Sequence, residues 1–274
     1  KVGSDVDLDI KDIPIIKRIF TEFTVEECLE IKKIEKHINH DVKAIEYYIR
    51  NKLRENKLEK YESYIHFGLT SQDINNTALP LMIKAAVNYE YIPVLKKICT
   101  LLNQKADLWK TNVMLSRTHG QPAVPTTFGK EIKVFAYRLE KQLELLENIK
   151  YYGKFGGASG NFNAHVCAFP EINWEEFTRQ FLNQFDLIHN KYTTQIDNYE
   201  NISTLFDNLK RINCILIDFC QDIWLYISQE YLKLCINKNE VGSSTMPHKI
   251  NPINFENAEG NLYFANCMLE CLSR

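Results

Sequence analysis

Glycine and proline are in short supply, ten and eight residues in a chain of 274, so little in this sequence would interrupt a helix once it has started. C-x-x-C pairs are missing too: the eight cysteines (Cys28, Cys99, Cys167, Cys214, Cys220, Cys235, Cys267, Cys271) are scattered, several of them inside apolar helical runs. That spacing argues against a zinc ribbon or a disulfide frame and fits reduced thiols in a cytosolic, cytoplasmic compartment. No apolar run approaches the roughly 20 residues that span a bilayer. A formal net charge of −2 leaves no electrostatic footprint for nucleic acid or for an anionic membrane. Repeats, low-complexity tracts and a visible signal peptide are absent as well, although an opening on Lys-Val-Gly rather than Met is what a chain shorn of its true start would show. What remains is a globular class whose expected partners are small molecules or copies of itself.

The helix period dominates what is present, and it predicts an all-α fold built from long helices. Thr24 and Glu27 form a T-x-x-E capping box that opens a helix reaching about Ile38. Asp41 begins another, running through Ile45, Ile49 and Leu53. The charged tract from Arg50 to Glu62 reads as a solvated boundary, giving residues 1–60 as the remainder of a small helical unit and 61–274 as a larger long-helix unit. From Ser71 to about Trp109 the chain is mostly apolar, with Pro80 and Pro93 as kinks or breaks. After Pro125, Phe128, Ile132, Phe135, Leu139, Leu146 and Ile149 recur at helical spacing, interrupted by Gln142. A second long helix is expected from about Asn198 to Cys235, seamed by Ile202, Leu205, Leu209, Ile212, Leu216, Phe219, Ile223 and Ile227. Its other face carries Phe206, Ile215, Ile217 and Trp224, so it must be buried on more than one side, and subunit association is expected around it.

Residues 153–161, Gly-Lys-Phe-Gly-Gly-Ala-Ser-Gly-Asn, admit two readings, a phosphate cradle and a tight connector. The run departs from G-x-G-x-x-G and follows no strand of parallel-sheet type, which favours the connector.

Four polar segments interrupt the helices: Asn39-His40-Asp41, Thr70-Ser71-Gln72-Asp73, Ser116-Arg117-Thr118-His119-Gly120-Gln121-Pro122, and 242–251, Gly-Ser-Ser-Thr-Met-Pro-His-Lys-Ile-Asn. All lie at helix starts or between helices, where unpaired N–H groups and the positive dipole end favour carboxylates and phosphates. Each has a plain structural alternative. Asp41 and Thr70 or Ser71 suffice as N-caps, a lone His40 or His66 is more often a structural hydrogen-bonding residue, and a Gly-Ser-Ser stretch is most often a solvated loop. His37 and His40 lack an acidic or cysteine partner at metal-binding spacing, so no metal site is expected. His119 is harder to dismiss, because its Gly and Pro neighbours turn the backbone and let a general acid project into a cleft. Glu256 is either solvated helix surface or the carboxylate that accepts the other ring N–H of this histidine. In the last segment the paired hydroxyls of Ser243 and Ser244 follow a glycine, Pro247 bars a helix, and Lys249 and Asn251 supply a cation and an amide to wrap an anionic ligand.

The stretch from Gly242 to Asn251 resembles the G-S-S-x-M-P-x-K-x-N signature of the fumarase/aspartase superfamily. Within it, Arg117-Thr-His-Gly-Gln-Pro-Ala123, Thr193-Thr-Gln-Ile196 and Asn251-Pro-Ile-Asn-Phe-Glu-Asn-Ala-Glu-Gly-Asn261 are similar to the adenylosuccinate lyase family of purine biosynthesis, in its bacterial-like branch. Asn39-His-Asp-Val42 and Thr70-Ser-Gln-Asp73 agree, so the resemblance covers nearly the whole chain from about residue 24.

The resemblance implies an all-α long-helix bundle whose central helices assemble into a homotetramer. It implies β-elimination of fumarate from adenylosuccinate to give AMP, and from the succinylated aminoimidazole ribotide to give its carboxamide, with no metal or organic cofactor. Carried over by position, Ser243 is the general base, His119 the general acid and Glu256 the partner of that histidine. Lys249 and Asn251 bind the succinyl carboxylates, with Lys249 also meeting the charge that develops on one of them. His40, Asp41, Thr70, Ser71, Thr118, Gln195, Ser244 and Asn257 are the further positions expected to contact substrate. Family members are longer, so a phosphate-holding stretch is expected beyond Arg274 and a phosphate-contacting segment at the amino terminus, with each site shared by three subunits. Two alternatives stand beside this. Argininosuccinate lyase and fumarase share the loop but are not known for Thr-Thr-Gln-Ile or Asn-Phe-Glu-Asn. A non-catalytic structural relative, such as a crystallin, would have no need of Ser243, His119 and Lys249 together.

Overall fold

A computed structural model describes residues 8–235, 246 and 249–274. In chain order its helices are α1 (Ile13–Thr21), α2 (Val25–Ile38), α3 (Asp41–Glu55), α4 (Ser71–Ala86), α5 (Ile92–Leu108), α6 (Phe128–Glu147), α7 (Asn163–Ala168), α8 (Trp174–Asn183), α9 (Glu200–Ser228) and α10 (Ile253–Leu272). A 3-10 turn spans Glu59–Tyr64, and a π-helical turn at Val87–Tyr91 leads into Pro93. Two short strand pairs complete the list: β1 (Val113–Thr118) antiparallel to β2 (Gln121–Thr127), and β3 (Tyr152–Gly153) parallel to β4 (Ile188–His189). Helix dominates, as the periodicity predicts. The chain divides into two compact units, one of residues up to Ile83 with Tyr151–Asn198, the other of Lys84–Lys150 with Tyr199–Arg274.

In the first unit α2 opens on the expected capping box, with Thr24 Oγ1 accepting from the Glu27 N–H at 3.2 Å and Glu27 Oε2 accepting from the Thr24 N–H at 2.9 Å. It closes on Asn39 in the left-handed conformation, φ 55°. The N-cap of α3 is His40 and not Asp41: its Nδ1 accepts from the Lys43 N–H at 3.2 Å, so Asp41 is free to serve as the first helical residue. The tract from 50 to 62 is not simply a solvated boundary. It carries Leu53, Leu58 and Tyr61 into a buried cluster with Ile15, Ile16, Ile19, Ile49 and Ile65, and the Tyr61 hydroxyl donates to Asp12 at 2.9 Å.

The second unit is a bundle of α5, α6, α9 and α10. Leu95, Cys99, Leu102 and Ala106 on α5, Ile132, Phe135, Leu139 and Leu146 on α6, and Ile202, Leu205, Ile212 and Ile223 on α9 are all buried. Gln142, which breaks the apolar seam, makes a polar layer instead: its Oε1 accepts from Asn208 Nδ2 at 3.2 Å and from Arg211 Nε at 3.0 Å. Helix α9 stops at Ser228, short of the expected Cys235, because the chain turns through Glu230 at φ 63° with no glycine or proline to signal it. Its second apolar face is in part accounted for within the chain, since α10 lies along it through Asn213–Asn266 at 3.0 Å, Lys210–Glu270 at 2.5 Å and Gln221–Glu259 at 2.8 Å. None of the eight cysteines is paired, and none of the described helices is long and apolar enough to cross a membrane.

Candidate active site

His119 stands at the tip of the β1–β2 hairpin. Thr118 pairs with Gln121, and the two residues between them, His119 at φ 53° and Gly120 at φ 73°, are both left-handed. Two positive φ values in a two-residue connection make a type I′ turn, whose twist matches that of the strands it joins. Arg117 Nη1 donates to the Gly120 carbonyl at 3.1 Å and steadies the tip. The turn itself is legible in Thr-His-Gly-Gln, but the strands were not expected. The effect is to hold an exposed imidazole at the end of a short ribbon, with Thr118 beside it.

In the first unit, five residues named from the sequence stand at the start of α3, at the start of α4 and on the Thr-Thr-Gln-Ile segment that reaches α4. Asp41, at the start of α3, has its carboxyl held below the usual carboxylate range, first by the Val42 backbone N–H and also by the Asn75 side chain on α4, which offset the opposing effect of burial. Its neighbour His40 uses Nδ1 as the cap acceptor, which leaves the neutral ring with its proton on Nε2, available to a ligand. Thr70 stands just before α4 and is nearly buried; Ser71 is the first residue of that helix. Gln195 Nε2 donates to Thr70 Oγ1 at 3.4 Å, joining the Thr-Thr-Gln-Ile segment to the same place. The Asp197 N–H donates to Asn76 Oδ1 at 2.9 Å and fixes the end of that segment against α4.

Two residues to which the sequence reading assigned no role organise this cluster. Asp73, 2% exposed, accepts from the Thr70 N–H at 2.8 Å and from the Gly156 and Gly157 N–H groups at 3.0 Å each. Lys154, fully buried, donates to the same carboxylate at 2.5 Å. The glycine run at 153–161 is thus a connector whose amides at Gly156 and Gly157 are committed to Asp73 and not free to cradle a phosphate. A lone lysine inside a glycine-rich run, with an unassigned aspartate in Thr-Ser-Gln-Asp, was the signal that could have found the pair.

In the second unit, Lys249, Asn251, Glu256 and Asn257 lie on and just before the start of α10. The Lys249 N–H donates to the Met246 carbonyl at 2.9 Å, and its side chain is exposed. Glu256 Oε1 accepts from Trp224 Nε1 of α9 at 3.0 Å, and Asn257 Oδ1 accepts from Asn261 at 3.1 Å. Among the described residues no hydrogen bond or ion pair joins Glu256 to His119 within the chain. Ser243 and Ser244 lie outside the described residues. Among the described residues no group of three or more His, Cys, Asp or Glu is arranged to hold a metal ion.

The helical frame, the hairpin histidine and the Met246–Asn261 run place the chain in a class of helical lyases, and a family model described as lyase matches residues 7–265: the chain belongs to the lyase family. Among its relatives are three named adenylosuccinate lyase. That of Dictyostelium discoideum is 51% identical over 265 residues, covering 94% of this chain and 57% of the relative. That of Legionella pneumophila (strain Corby) is 47% identical over 95% of this chain and 58% of the relative, and that of Escherichia coli (strain K12) 42% identical over 96% and 60%. The chain therefore spans less than two thirds of the length of these relatives. Among solved structures, 3-carboxy-cis,cis-muconate lactonizing enzyme from Pseudomonas putida superposes with a TM-score of 0.71 at 23% identity, over 91% of this chain and 55% of that one. That likeness establishes the shared helical fold.

Proposed function

We propose that this chain is the larger part of an adenylosuccinate lyase, which eliminates fumarate from adenylosuccinate to leave AMP and from the succinylated aminoimidazole carboxamide ribotide to leave its carboxamide. The observation that carries this reading is 51% identity to a protein of that name over 94% of the chain, spanning every polar segment singled out above. In this reading Ser243, as alkoxide, takes the proton from the carbon β to nitrogen. The C–H electrons form the new C=C bond as the C–N bond breaks, and His119 protonates the departing nitrogen. Removing so weakly acidic a proton puts negative charge onto the adjacent carboxylate, where fixed donors are worth most. Lys249 and Asn251, beside the start of α10, are suited to that task, with the amide of Asn257 and the hydroxyl of Ser244 close in sequence. His40, Asp41, Thr70, Ser71 and Gln195 supply a second group of substrate contacts, and Thr118 stands beside the acid.

His119 is exposed and among the described residues makes no hydrogen bond or ion pair with a carboxylate, which supports a site completed by other copies, hence a homotetramer in which Glu256 of one subunit serves His119 of another. Residues 1–60 are then the remainder of a small helical domain and 61–274 most of a central long-helix domain. The cytoplasm is the expected compartment, from the unpaired cysteines. In the full-length protein Ser243→Ala should lower single-turnover fumarate release by at least about a thousandfold while leaving the Kd for adenylosuccinate within about threefold. Residual turnover within tenfold of wild type would sink the assignment of the base.

A further inference from the structure

Lys154 is the largest fully buried side chain of the described residues, and the chemistry above gives it nothing to do. Its ammonium donates to Asp73 Oδ1 at 2.5 Å and to the Gly157 carbonyl at 3.3 Å. Asp73 in turn receives the N–H groups of Thr70, Gly156 and Gly157. A carboxylate this far from water persists only where its charge and lone pairs are met, and here four donors from two chain segments meet them. A buried ion pair stabilises a fold no better than a well-packed apolar pair of the same volume, so what this one contributes is fixed geometry. What it fixes is the approach to α4: Thr70, whose hydroxyl accepts from Gln195, is tied through Asp73 to the loop that follows Lys154. The other side of that approach is equally tight. Gly68, at φ 64°, lies where any Cβ would stand 2.8 Å from the ring of the buried His165.

We propose that Asp73 and Lys154 are a positioning pair, touching no substrate themselves but holding Thr70 and Ser71 in register for the substrate. This rests on the lyase reading above. A slack Thr-Ser segment weakens binding of the ground state and the transition state alike, which appears in KM and not in kcat.

The test uses Lys154→Met, Asp73→Asn and the double variant in the full-length protein, with steady-state kinetics on adenylosuccinate, melting temperature and amide exchange. Lys154→Met should raise KM about tenfold with kcat held within about threefold. The double variant leaves no unpaired buried charge, so its melting temperature should recover toward wild type while KM stays raised. A wild-type KM in the double variant overturns the proposal, including the case where Lys154→Met alone fails to fold. If wild-type protein does not turn over adenylosuccinate, the lyase reading fails separately, and the pair is judged by exchange. Faster exchange at Thr70, Gly156 and Gly157 with α9 unchanged upholds the positioning role, whereas a uniform increase or no change overturns it.

Discussion

His119 occupies a conformation that costs a non-glycine residue roughly 1–2 kcal/mol, at the first central position of a turn that glycine or asparagine would fill with less strain. A strained residue is where a local rule is broken for the sake of a side chain. His119→Gly should therefore leave the melting temperature unchanged or slightly higher while abolishing fumarate release. A scanning calorimetry trace that fell by several degrees would show the imidazole to be structural. Gly160 makes the complementary case. At φ 78° its Cβ would run into the Thr193 and Thr194 carbonyls, so Gly160→Ala should destabilise by about 2 kcal/mol or more and disturb the segment that carries Gln195. Urea midpoints read that loss; a stability within 0.5 kcal/mol of wild type would contradict the close approach. At this scale the sequence was informative about side-chain chemistry and poor about conformation. His40, Asp41, Thr70, Ser71 and Gln195 were all nameable from spacing and resemblance. Asp73 and Lys154 escaped because no local pattern brings positions so far apart in sequence into one buried pair.

Among the elements, α2 was legible at both ends, since a capping box and a terminal Asn-His-Asp act through contacts only three or four residues long. Its cap also sets a pH dependence. The Tyr48 hydroxyl beside Glu27, together with the Lys52 ammonium and the Thr24 N–H that Glu27 accepts from, lowers its pKa to about 2. A carboxyl depressed on folding contributes stability that is fully present above its unfolded value of 4.5 and is lost as pH falls toward about 2. Urea titrations between pH 5 and pH 2 should thus show a slope that Glu27→Gln flattens; an unchanged slope would place the acid sensitivity elsewhere. The hairpin was not legible because Pro122 and Pro125 argue against a strand, and they are tolerated only because a two-stranded ribbon has an open edge. The end of α9 was missed for the opposite reason, a non-glycine residue taking the left-handed position where glycine is the usual signal. Its middle behaves as the periodicity requires. Ile212 is fully buried, so Ile212→Ala should cost about 2–4 kcal/mol in thermal or urea unfolding, and a loss under 1 kcal/mol would contradict its place in the core.

For the whole molecule, the helix period was enough to give the fold class but not which helix covers which. The second apolar face of α9, read as subunit contact, is taken up in part by α10 of the same chain. The outward side of α10 then leaves Phe264, Met268 and Leu272 more than half exposed, a face that suits association between copies. If the site is shared between subunits, neither half of the machinery works alone, and activity follows assembly. The most direct test of the central claim is fumarate release by the full-length protein, followed as loss of purine-band absorbance with adenylosuccinate, beside argininosuccinate and malate as controls. The account predicts turnover of adenylosuccinate and none of the controls; a correctly assembled protein that leaves adenylosuccinate untouched, or prefers either control, would contradict it.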